Sequence, residues 1–114
     1  MNGTPLENLW TFETKNFTIR CDALVEHDAD LSWDETGEVA EKINNGTYDL
    51  FCAAVSVHMN GREVSCNYLG GCIYEDAKDF VSKYRDEYFR DMVRTAVAEA
   101  RVEVAQLQSI ELKA

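Results

Sequence analysis

Two runs in which apolar and polar residues alternate, YDLFCAAVSVHM (48–59) and REVSCNYLGGCIY (62–74), meet at Asn60-Gly61. Asn-Gly between alternating runs predicts a two-residue β-hairpin, because a type I′ turn needs positive φ at both central positions. That turn sets a register in which Met59 faces Arg62, His58 faces Glu63, Val57 faces Val64, Ser56 faces Ser65 and Val55 faces Cys66. One face of the hairpin then carries Phe51, Ala53, Val55, Val57, Val64, Cys66 and Tyr68. The other carries Cys52, Ala54, Ser56, His58, Glu63, Ser65 and Asn67. The first face requires a cover and the second is compatible with water.

The segment from Asn16 supplies a third strand, since Phe17, Ile19, Cys21, Ala23 and Val25 alternate with mostly polar residues. Residues 1–9 read as a loose lead-in, with Trp10 and Phe12 able to add a short strand or plug an edge of the core. Between the strands, Ser32 with Glu35 resembles a capping box and Thr36 is a rival N-cap for a short helix ending near Asn44, with Asn45-Gly46 as its stop. Val39 and Ile43 are placed to pin that helix, and Leu31 or Trp33 to anchor the loop before it. Gly70-Gly71 interrupts the hairpin as a bulge or a point of close approach. Ala77, Phe80, Val81 and Tyr84 then fall at helical spacing behind Asp76 as cap. From about Asp86 to Leu107 the apolar positions Phe89, Met92, Val93, Ala96, Val97, Ala100, Val104 and Leu107 form one stripe, supported by an Asp86 to Arg90 pair. Residues 109–114 read as a frayed tail. The fold class is α+β: a three-stranded antiparallel sheet, a long C-terminal helix packed on one face, and two shorter helices, in a single domain spanning 1–114.

Charge changes the picture more than composition does. With 21 acidic against 11 basic residues, the formal net charge is −10. This balance disfavours direct binding to nucleic acid or an anionic membrane, the bases being scattered. The first ten residues have no basic and apolar leader pattern, and no stretch reaches the length of a membrane span. The expectation is a cytoplasmic chain whose four cysteines, Cys21, Cys52, Cys66 and Cys72, are reduced.

Three constellations carry candidate chemistry. Residues 26–41 hold seven carboxylates and no Lys or Arg. Asp28, Asp30, Ser32, Asp34 and Thr36 alternate as in a calcium loop. However, Trp33 stands where that loop needs glycine and Val39 where it needs a bidentate Glu, so a solvated or partner-facing acidic surface is the better reading. The cysteines contain no C-x-x-C knuckle, and no metal or cofactor is expected. On the wet hairpin face Ser56, Ser65, His58 and Glu63 supply the residue types of a small hydrolase, without an oxyanion hole or pocket.

The segments DLSWDETGE (30–38), YLGGCIYED (68–76) and YFRDMVRTAVAEAR (88–101) resemble a group of small uncharacterised acidic proteins of bacterial viruses and mobile elements. The resemblance runs from about Phe12 to Arg101 and transfers no functional residue. It implies an anti-defence, anti-CRISPR-like context, in which such proteins bind and block rather than catalyse. The leading expectation is therefore a non-enzymatic inhibitor acting in the host bacterial cytosol on a defence protein or nucleoprotein. Its contact residues would be Asp28, Asp30, Asp34, Glu35 and Glu38, imitating phosphate spacing, with Trp33 as aromatic anchor. The alternatives are a structural or regulatory interaction module, including a homodimer through the wet face or a sheet edge, and a hydrolase at Ser56 and His58.

Overall fold

The computed structural model describes residues 5–26, 30–82 and 87–113. The chain forms β1 (Pro5–Glu13), β2 (Thr18–Leu24), α1 (Glu38–Asn44), β3 (Asp49–Met59), β4 (Arg62–Tyr74), a 3₁₀ helix (Ala77–Val81) and α2 (Glu87–Lys113). The strands make one antiparallel sheet in the order β1-β2-β3-β4. The α+β class and the C-terminal helix hold, but the sheet has four strands rather than three. The segment expected as a lead-in supplies the fourth from Pro5 onward, and α2 continues past Leu107 to Lys113. Tyr84 and Asp86, the latter the expected partner of Arg90, lie outside the described residues.

Asn60 and Gly61 adopt φ of 55° and 77°, the left-handed pair that the turn requires. Met59↔Arg62 and His58↔Glu63 pair as the turn dictates. Beyond them the register departs from the regular alternation. An extra residue, Val64, is inserted on β4, so Val57 pairs with Ser65, Ser56 with Cys66, and Ala54 with Tyr68. The side chains from Ser65 to Leu69 change face as a result. Ser65 and Asn67 turn toward α2, where the Ser65 hydroxyl donates to the Ala96 carbonyl at 2.6 Å and the Asn67 amide donates to Glu99 Oε1 at 2.9 Å. Cys66 and Tyr68 move to the opposite, uncovered face, and Tyr68 is half exposed. A second break lies at Gly70-Gly71, where Ala53 pairs with Leu69 and Phe51 with Cys72. Gly71 takes φ +69°, and the Glu26 carboxylate accepts its N–H at 2.7 Å. The close approach at this bulge is thus made by a side chain that crosses from the end of β2.

The core lies between the sheet and α2. Ile19, Cys21 and Ala23 of β2, with Phe51, Ala53, Val55 and Val57 of β3, are buried against Ala96 and Ala100, which have no exposed surface. These two alanines, four apart, let the helix axis approach the sheet closely. At the other end of the core, Trp10 meets Phe89 edge-on at 5.0 Å, Phe89 meets Phe80 at 6.0 Å, and Phe80 meets Phe51 at 6.2 Å and Tyr74 at 5.8 Å. This chain of edge-to-face rings joins β1, β3, β4, the 3₁₀ helix and α2. Each such pair is worth about 0.5–1.5 kcal/mol beyond its area burial.

Candidate functional site

The acidic segment sits beyond the edge of this core. Its described part, residues 30–37, is held by short-range bonds to its own backbone. Asp30 Oδ1 accepts from Ser32 N at 2.9 Å, and Asp34 N donates to Leu31 O at 2.9 Å. The Ser32 amide beside it holds the Asp30 carboxyl below the usual range. Gly37, at φ +75°, turns the chain into α1, which begins later than a capping box at Ser32 would place it. The Asp34 carboxylate caps the helix from outside by accepting from Ala40 N at 3.0 Å, and Thr36 Oγ1 accepts from Glu38 N at 3.3 Å. No residue of α1 is fully buried. Val39 and Ile43 are only half covered.

Of the sequence-predicted contact residues, Asp30, Trp33, Asp34, Glu35 and Glu38 are thereby gathered on one loop and the following helical turn, and Asp28 lies outside the described residues. Glu35 and Glu38 are exposed. Trp33 is not the internal anchor that its size suggested: 57% of its surface is exposed.

Trp33 borders an open groove of about 510 Å3 whose other walls include Tyr48, just before β3, Tyr74, at the end of β4, and the carboxylates of Glu75 and Asp79. The Lys42 ammonium lies 5.2 Å from the centre of the Tyr48 ring. The tyrosines and Asp79 escape a reading by periodicity because they lie at strand ends and within a 3₁₀ helix, where apolar spacing marks core rather than surface. The available signal was the cluster Tyr74-Glu75-Asp76, aromatic and acidic residues crowded after a strand end.

On the open sheet face, Ser56 Oγ and His58 Nε2 are 2.9 Å apart, and Glu63 is the register partner of His58. Ser65, the other hydroxyl expected here, has gone to the helix side. β3 is paired on both flanks, so its amides around Ser56 serve the ladder and not a developing oxyanion. Ser56 is itself only 5% exposed, between Arg20 of β2 and Cys66 of β4. This arrangement is a polar pair within a sheet surface. Cys66, expected among apolar neighbours, sits here too, and burial with the nearby carboxylates of Glu63 and Asp22 outweighs the Tyr68 hydroxyl to push its thiol up. Among the described residues no three His, Cys, Asp or Glu side chains converge as a metal site, and no helix is long and apolar enough to cross a membrane.

Compared with known proteins, the chain matches no protein family, no curated protein and no solved structure.

Proposed function

We propose that this chain is a binding protein that acts by occupying a basic surface of a partner. In the form the sequence resemblance suggests, it is an inhibitor encoded by a bacterial virus or mobile element and directed at a host defence protein or nucleoprotein. The observation that carries the reading is the acidic lobe itself. Loop 30–37 and α1 present Asp30, Glu35, Glu38 and a half-exposed Trp33 on an element that buries no residue fully. Side chains that contribute so little to the core are free to serve recognition. Carboxylates held by short turns around an aromatic anchor have the layout of an interface hot spot, with charge to steer the encounter and a ring to be desolvated.

The test is affinity capture from bacterial lysate, with and without nuclease, using the native chain and a variant carrying Asp30→Asn, Asp34→Asn, Glu35→Gln and Glu38→Gln. The amides keep the hydrogen-bond acceptors that hold the loop and cap α1, so the fold should be retained. We expect a nucleic-acid-binding partner that survives nuclease, is released at high salt, and binds the variant at least about tenfold more weakly. Undiminished capture by the variant would overturn the acidic-lobe mechanism.

A further inference from the structure

We infer that the groove between Trp33, Tyr48 and Tyr74 receives an arginine side chain of the partner, stacked on the aromatic rings and paired with Glu75 and Asp79. This deepens the reading of the acidic lobe and rests on it for the existence of a partner, but it is carried by different residues. Three rings from three separate parts of the chain border one open groove with two carboxylates. Ring faces are the negative ends of aromatic quadrupoles, so rings and carboxylates favour the same occupant, a cation. The Lys42 ammonium, 5.2 Å from the Tyr48 ring centre, is already such a contact within the molecule.

The rings are also set in place beforehand. Tyr74 is backed by Phe51 and Phe80, each 5.8 Å away. The main chain at Trp33 is held by the turn in which its carbonyl accepts from Glu35 N at 3.1 Å. Little ordering is then required when the site is filled. The groove is open rather than enclosed, which suits a side chain projecting from a larger surface. Arginine fits better than lysine, because a planar guanidinium stacks on a ring while its edge donates two parallel N–H groups to a carboxylate. A lysine ammonium makes the charge contact without either geometric gain.

The probes are hexa-arginine and hexa-lysine peptides at about 150 mM salt, with affinities read by isothermal titration calorimetry in every variant and the binding position read in the native chain from its two tryptophan indole N–H resonances. Trp10, packed on Phe12 and Phe89, is the internal control. Hexa-arginine should move the Trp33 resonance, leave that of Trp10 in place, and bind at least about fivefold more tightly than hexa-lysine. Trp33→Ala, and separately Glu75→Gln with Asp79→Asn, should each erase that preference. The four-residue amide variant of the loop should weaken both peptides while keeping arginine ahead. Equal affinity for the two peptides, or a preference that survives Trp33→Ala, would overturn the groove assignment and leave a purely electrostatic surface. A groove that selects arginine in a chain that captures no partner would instead sink the inhibitor reading alone.

Discussion

Cys21 lies at the centre of β2 with no exposed surface, between the Val55 and Trp10 positions of its neighbouring strands. Burial first, and then the charges of Asp22 and Cys72, push its thiol up to about 12 from an ordinary 9.0. The folded chain therefore holds the proton that the unfolded chain begins to lose near pH 9. This contribution to stability is intact below pH 9 and is lost as the pH climbs toward 12. Its slope is of order 1 kcal/mol per pH unit for a single group. Urea denaturation at pH 8 and pH 10 should show a clear loss of stability, and Cys21→Ala should make that loss smaller by about 1 kcal/mol while lowering stability at pH 8. An unchanged pH dependence in the variant would mean that the thiol is not the group being titrated. The same burial keeps this cysteine from acting as a nucleophile, which requires the thiolate.

Among the elements, the hairpin turn was legible and its continuation was not. Asn60-Gly61 announces itself because few other dipeptides tolerate two positive φ values. The bulge at Val64 has no such marker. Val64, Cys66 and Tyr68 alternate as a core face would, and only the carbonyl of Ala96 and the carboxylate of Glu99 make it favourable for Ser65 and Asn67 to face α2 instead. A polar residue bonded across an interface looks, in sequence, like a residue facing water. β1 was legible only at Trp10 and Phe12, as one of two options there, and its first half was not, because register breaks at Leu6 and Leu9 spoil the alternation. The acidic loop and the short helix after it were legible from charge and end signals, whereas the groove beside them depends on residues brought together from distant strand ends. Gly70-Gly71 was legible as a bulge, and its structural partner was not. A Cβ on Gly70 would lie 2.9 Å from Glu26 Oε2, the atom that accepts the Gly71 N–H. Gly70→Ala should displace that carboxylate and cost about 1 kcal/mol, and Glu26→Ala about the same, through loss of one bond. In the double variant the two costs should not add, since each removes the same contact. Additive losses in urea denaturation would show that the glycine matters for the strand conformation alone.

At the scale of the whole molecule, the question is what a surplus of ten negative charges does to a chain this small. Both sheet edges, β1 and β4, carry register breaks, and bulged edges twist away from strand-to-strand pairing with a second copy. Like charge adds repulsion between copies, so light scattering should give the 13.0 kDa monomer rather than a dimer built on an edge. Within one copy the same charge opposes compaction, most where carboxylates outnumber bases, on loop 30–37 and α1, whose one base is Lys42. If those acids serve recognition, their effect on folding should be adverse or nil. Raising salt from about 10 mM to 150 mM shortens the Debye length from about 30 Å to 8 Å, which should raise Tm. The variant with Asp30, Asp34, Glu35 and Glu38 changed to amides should melt at the same temperature or a few degrees higher, with a weaker salt dependence. A fall in Tm of several degrees would mean that the carboxylates hold the fold, and the acidic lobe would then be a structural element before it is a binding surface. A retained or raised Tm together with lost partner binding would separate the two roles, placing the charge of this loop on the side of recognition at a small expense in stability.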